Sequence, residues 1–164
     1  MRVLAISGSL QAGSSNTALL RQVRALAPNG TEVVLYQGLV ALPRFNPDLD
    51  ADPAVAELRT QLLGVDAVLI ASPEYAHEMP GSLKNALDWV VGSGELYGKP
   101  VAILSAAPSA ARGQYAREAL ERTLGAQGAK VVASMTVPVA KDQPLDDPQI
   151  VQAVRDVLTA LAAG

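Results

Sequence analysis

Apolar residues along the chain alternate between two rhythms. Unbroken apolar or β-branched runs of strand length fall at residues 3–6 (VLAI), 31–36 (TEVVLY), 66–71 (DAVLIA), 99–104 (KPVAIL) and 130–137 (KVVASMTV). Between them apolar positions recur at helical spacing. Residues 14–26 carry Leu19, Leu20, Val23 and Leu26, and the stretch opened by Asp52-Pro53 carries Val55, Leu58 and Leu62. An aspartate followed by proline starts a helix: the carboxylate caps free amides, and proline lacks the N–H that would have no partner there. Pro80 opens a third helix with Leu83, Leu87 and Val90/Val91 on one side. Residues 117–124 lie in a fourth, ended by Gly125 to Gly128. A polar loop with Pro138, Pro144 and Pro148 precedes a fifth, whose face is Ile150, Val154, Leu158 and Leu161.

Five strands alternating with five helices predict an α/β fold. The strands are apolar throughout rather than at every second residue, which means burial on both faces: a parallel sheet between two helix layers, with right-handed crossovers. No repeat or linker divides the chain, so residues 1–164 read as a single domain. The connection 37–52 is longer than usual and implies a functional excursion or a subunit contact.

In such a fold ligands bind beyond the carboxyl ends of the strands. The segments following the first, third and fourth strands should therefore converge. They read SGSLQAGSSNT (7–17), SPEYAHEMPG (72–81) and SAAPSAARG (105–113), the most distinctive loops in the chain.

Composition narrows the chemistry. The chain has 49% hydrophobic and 18% charged residues, as in globular proteins. A net charge of −3 without a basic block implies no nucleic-acid partner. There is no cysteine, which excludes disulfides, thiolate catalysis and cysteine metal sites, so redox chemistry needs a cofactor. The start MRVLAIS reads as a strand and no segment reaches membrane-span length; the expectation is a cytoplasmic protein without a membrane partner.

The segment 7–17 has Gly8 and Gly13 for tight backbone paths and Ser9, Ser14, Ser15, Asn16 and Thr17 as short donors ahead of a helix N-terminus, a combination suited to phosphate. The glycine spacing is neither G-x-G-x-x-G nor a P-loop, since Ser14 stands where the lysine would be. The alternative is a serine-rich connector that only caps the helix. The second segment suits a planar ligand: a stiffening proline, a tyrosine ring and backbone amides for the ligand's edge.

The runs GSLQAGSSN, PEYAHEMPGSLKNALDW and GKPVAILSAAPSAARG, in this order and spacing, resemble the NAD(P)H-dependent FMN reductase family, which includes quinone, azo-dye and chromate reductases. The resemblance implies a flavodoxin-like doubly wound sheet of order 2-1-3-4-5, FMN as cofactor, and NADPH or NADH as co-substrate. It implies that Ser9, Gln11, Ser14, Ser15, Asn16 and Thr17 hold the FMN phosphate. Pro73, Glu74, Tyr75 and Ala76 would line the ring, and Ser105, Ala106, Ala107 and Arg112 would close its other edge. Arginine is common in the family where Gln11 stands, and asparagine where Ala76 stands. No side-chain catalyst or metal is implied, because the flavin carries the hydride.

Individual residues keep two readings. Tyr75 is a flavin-side ring or an interface residue; His77 is a proton donor or a solvated loop residue. Glu74 caps the following helix or binds across a dimer. Lys84, Asn85 and Asp88 are a wet face or supports for loop and interface, and Trp89 is core or interface. Arg112, the only cation in the three segments, meets the FMN phosphate, a nicotinamide-cofactor phosphate or solvent. The expected activity is hydride transfer from NAD(P)H through FMN to a small-molecule acceptor: a quinone, azo compound, metal oxyanion or free flavin. A flavodoxin-like electron carrier or a flavin-binding protein without turnover is the rival. A homodimer or homotetramer is expected, with the partner's 37–52 loop or 80–91 helix walling in the flavin.

Overall fold

The computed structural model describes residues 1–49, 52–139 and 145–164. Five parallel strands, β1 (Arg2–Ser7), β2 (Glu32–Tyr36), β3 (Ala67–Ala71), β4 (Pro100–Ala107) and β5 (Lys130–Pro138), form one sheet in the order β2-β1-β3-β4-β5. This is the flavodoxin-like winding, with its switch point between β1 and β3. The helices are α1 (Ser15–Ala25), α2 (Pro53–Leu63), α3 (Gly81–Trp89), α4 (Gln114–Ala126) and α5 (Pro148–Ala163).

Alternate strand residues sort the helices into two layers. Leu4, Ile6, Val68, Ile70, Val101 and Ile103 face one core together with Leu58 and Leu62 of α2, Leu83 and Leu87 of α3, and Leu120 and Leu124 of α4. Val3, Ala5, Ala67, Leu69, Ala71, Ala102 and Leu104 face the other, against Leu19, Leu20 and Val23 of α1 and Ile150, Val154, Leu158 and Leu161 of α5. The second face is lined by alanines where α1 crosses, so that helix packs close to the sheet. All five residues of β3 are buried, as befits the central strand.

The caps follow the local chemistry. Asp52 accepts from the amides of Ala54 and Val55 with Pro53 in the first turn, and Asp147 accepts from Gln149 ahead of α5. Three boundaries differ from expectation. β4 runs on through Ser105–Ala107, because β5 continues to pair with it as far as Pro138; those residues are strand and not loop. The helix after Pro80 ends at Trp89, so Val90 stays buried while Val91 is 58% exposed, off the apolar face. Gly125 lies inside α4, and Gly128, at φ 72°, makes the turn.

The excursion after β2 contains a short 3-10 turn, Gly38–Ala41. It is tied to α3: Asn85 accepts from the Phe45 amide at 2.7 Å and donates to the Pro43 carbonyl at 2.9 Å, and Trp89 Nε1 donates to the same carbonyl at 2.8 Å. Phe45 packs edge-on against the Trp89 ring at 5.1 Å. Trp89 is therefore core, and Asn85 is a loop support rather than part of a wet face. Lys84 and Asp88 pair on the exposed side at 2.6 Å. Asp50 and Ala51 of the excursion, and Pro144 of the later polar loop, lie outside the described residues.

Candidate functional site

The three strand-tip segments are joined at the carboxyl end of the sheet. The Gly8 amide donates to Ala71 at 2.8 Å, and Ser82 at the start of α3 donates to the Gly8 carbonyl at 3.5 Å. Ser105 Oγ donates to the Ser72 carbonyl at 2.9 Å, and the Ala106 amide donates to Asn16 Oδ1 at 2.9 Å. A Cβ at Gly8 would lie 3.0 Å from Ser72 Oγ and 3.1 Å from Leu83 Cδ2, so the close approach of the two segments is tight enough that any larger residue would push those side chains aside. The first segment thus touches the second through Gly8 and the third through Asn16.

Within the first segment the polar groups divide into two sets. Ser9 is buried and accepts from the Gln11 amide at 3.2 Å; Ser14 caps α1 by accepting from the Thr17 amide; Thr17 Oγ1 pairs with Ser7 Oγ at 2.7 Å. Asn16 is 4% exposed and its carbonyl oxygen is taken by β4. Gln11 and Ser15 face solvent. The capping reading therefore holds for Ser14. Among the described residues the Ser15 and Asn16 amides in the first turn of α1 and the Ser15 hydroxyl have no partner and are free to meet an anion. No carboxylate lies in residues 7–17 to oppose one.

The second segment is a two-residue reversal. Tyr75 and Glu78 exchange both backbone hydrogen bonds, at 2.9 and 3.0 Å, around Ala76 (φ 50°) and His77 (φ 62°). Two consecutive non-glycine residues in the left-handed region make a primed hairpin turn of the kind that favours Asn-Gly. The contacts that hold it run to α4. Glu74 Oε2 accepts from the Ala116 amide at 3.2 Å, His77 stacks on Tyr115 with ring centroids 4.3 Å apart, and Glu78 lies 4.0 Å from Arg122. Glu74 does cap a helix, but α4 rather than the α3 that follows it; Gly113 at the α4 N-cap has no side chain to do so.

Between these parts lies a cavity of ≈ 490 Å³. Pro73, Glu74 and His77 line it from the second segment; Ser105, Ala106, Ala107 and Arg112 line it from the third; Tyr115 stands at its edge on α4. Tyr75 and Ala76 do not line it, and Tyr75 is 54% exposed. Nor do the residues of the first segment, which reach the cavity only through the Asn16–Ala106 contact. Tyr115 was missed from sequence. Its signal was available, because the first turn after β4 must lie at the same sheet end.

Among the described residues, the two groups whose ionisation is displaced, Tyr36 and Lys99, lie outside this cavity. Burial, and then the Glu57 carboxylate, raise the Tyr36 phenol. Burial lowers Lys99, with the Asp66 carboxylate opposing it, and Lys99 Nζ donates to the Val65 carbonyl at 2.7 Å.

The family model described as NADPH-dependent FMN reductase matches residues 1–144. The chain is 42% identical over 123 residues to an NAD(P)H-dependent FMN reductase of Pseudomonas aeruginosa, a match covering 70% of this chain and 66% of that protein. It is 36% identical over 109 residues to a quinone reductase of Escherichia coli, covering 63% of this chain and 58% of the other. The matched stretches thus span less than two thirds of either relative's own length. Among solved structures, a flavoenzyme NAD(P)H:(acceptor) oxidoreductase from Paracoccus denitrificans superposes with a TM-score of 0.80 at 26% identity, covering 99% of this chain and 97% of that one.

Proposed function

This chain belongs to the NADPH-dependent FMN reductase family, and from that premise we propose that it is an FMN-dependent NAD(P)H oxidoreductase acting on quinones, azo compounds, metal oxyanions or free flavin. The observation that carries the reading is the cavity itself: Pro73 and Glu74 face Ser105–Ala107 across a space at the switch end of a parallel sheet, with the α1 N-terminus beside it. The donor set fits FMN. Free first-turn amides and short hydroxyls without an opposing acid suit a phosphate monoester, and a cavity with proline and alanine walls suits a flat ring.

In this reading Ser9, Gln11, Ser14, Ser15, Asn16 and Thr17 form the phosphate end, with Ser15 and the α1 amides making the direct contacts. Ser14 and Asn16 act by holding that loop in place. Pro73 and Glu74 form one side of the ring site and Ser105, Ala106, Ala107 and Arg112 the other, while Tyr75 and Ala76 stay outside the cavity and shape the turn beside it. FMN held there would supply the hydride chemistry that links NADPH or NADH to the acceptor. The chain contributes position, exclusion of water from one ring face, and fixed backbone dipoles.

We place the protein in the cytoplasm, and among the described residues no helix is long and apolar enough to cross a membrane. We also propose that it is a homodimer or homotetramer. Val40, Phe45, Leu49 and Val91 are large apolar residues at least 44% exposed on the 37–49 excursion and just beyond α3, where a second subunit would cover them. An apparent mass near 17.0 kDa in gel filtration at micromolar concentration would contradict that.

The deciding experiment is the visible spectrum of the purified protein mixed with FMN, followed by NADPH and NADH oxidation with a quinone. A flavin spectrum retained through desalting and quinone-dependent oxidation are expected. Retained flavin without oxidation of either nucleotide would identify an electron carrier or a flavin binder without turnover. No retained flavin overturns the reading.

A further inference from the structure

We propose that the guanidinium of Arg112, which has no ion-pair partner among the described residues, makes this site select anionic planar electron acceptors over neutral ones of similar shape. The proposal rests on the reading above, with the flavin ring in the cavity and the acceptor entering over it.

The backbone of Arg112 is held on both sides: its amide donates to the Ser109 carbonyl at 3.1 Å, and its carbonyl accepts from Thr136 Oγ1 at 2.9 Å. Its side chain lines the cavity, and among the described residues the ion pairs are Arg2–Glu32, Arg59–Glu95, Lys84–Asp88 and Arg122–Glu78, none of which includes it. The other charges nearby are already answered. Glu74, the carboxylate that lines the cavity, is turned onto the Ala116 amide at the positive end of α4. Glu78 faces Arg122, and His77 lies against the Tyr115 ring. What remains is one unanswered cation beside an apolar wall of Pro73, Ala106, Ala107, Pro108 and Ala111.

A flat hydrocarbon body fits that wall, and an acidic substituent on it, such as a sulfonate, a carboxylate or an ionised ring hydroxyl, finds a charge-assisted hydrogen bond at its edge. Because Arg112 is exposed, the advantage is about two- to fivefold rather than the larger factor of a buried pair.

The test compares 1,4-naphthoquinone-2-sulfonate with neutral 2-methyl-1,4-naphthoquinone on FMN-loaded wild type, Arg112→Gln and Arg112→Lys. Two quantities are read: kcat/KM for each acceptor, and equilibrium binding from the acceptor-induced change in flavin absorbance. The expected result is a sulfonate-to-neutral ratio that falls about two- to fivefold in Arg112→Gln in both measurements and is largely kept in Arg112→Lys. The wild-type preference should also shrink with added salt. An unchanged ratio overturns the proposal. So does an Arg112→Gln protein that loses FMN while its acceptor ratio stays the same, since the arginine would then serve the cofactor. Wild type that fails to retain FMN, or that reduces neither quinone, refutes the underlying reading instead, and the proposal falls with it.

Discussion

The carboxylate of Glu74 lies 3.2 Å from the backbone amide of Ala116, so a residue that follows β3 caps the helix that follows β4. Together with the Ser105–Ser72 hydrogen bond and the His77–Tyr115 stack, this contact ties the second strand-tip segment to the third and to α4, and both segments line the cavity. Glu74→Ala removes a cap and should lower stability by about 1 kcal/mol in urea unfolding. Glu74→Gln keeps an acceptor oxygen and should lose less than half of that. Equal losses for the two variants would mean that charge, and not the hydrogen bond, holds the helix.

Ala76 carries a positive φ without the freedom of glycine or the local hydrogen bonds of asparagine. Ala76→Gly and Ala76→Asn are both expected to raise the unfolding free energy, by about 0.5–1 kcal/mol. A lower denaturant midpoint for both would show that this turn is not strained. His77 shares the strain, but its ring stacks on Tyr115, so His77→Gly should gain less than Ala76→Gly.

Gly113 has φ 81°, and a Cβ there would overlap Ser105 Oγ. That hydroxyl is the one that ties β4 to Ser72. Gly113→Ala should therefore cost about 2–3 kcal/mol of stability and weaken FMN retention together. A variant that melts with wild type and holds FMN as tightly would remove the third segment from the site.

Tyr36 is 7% exposed, its hydroxyl has no hydrogen-bond partner among the described residues, and its phenol is raised above the ordinary 10.0 by burial first and Glu57 second. Below pH 10 the phenol is protonated whether the chain is folded or not, and its contribution is constant. Above pH 10 the unfolded chain ionises first, so folding stability declines as pH rises. Tyr36→Phe should flatten that decline in thermal melts between pH 9 and about 11. It should also be about 1 kcal/mol more stable at pH 7, because an unpartnered buried hydroxyl is removed. A variant with the same alkaline decline and a lower stability at pH 7 would show that the hydroxyl is bonded in solution.

Much of this architecture is legible in local pattern, and the exceptions have identifiable causes. Val55, Leu58 and Leu62 all prove buried behind the Asp52-Pro53 start, since cap, proline and spacing act within two turns. The end of β4 was misjudged because Ser105, Ala106 and Ala107 look like loop; pairing with β5, a partner about thirty residues on, keeps them extended. The role of Asn16 was half visible. Its place at a helix start suggested a donor for phosphate, whereas its oxygen meets an amide 90 positions away.

The order of residues alone determined the alternating α/β winding, and with it the end of the sheet at which three distinctive loops meet. Periodic burial and helix caps are short-range effects that each segment satisfies by itself. Only the tertiary structure decided which polar groups there are already satisfied and which are free. Ser14, Asn16 and Glu74 are engaged in holding the fold, while Arg112 has no partner ion among the described residues. Hydrogen bonds and charge pairs across loops depend on distances that chain spacing does not encode, so the chemistry of the site appears only once the loops are brought together.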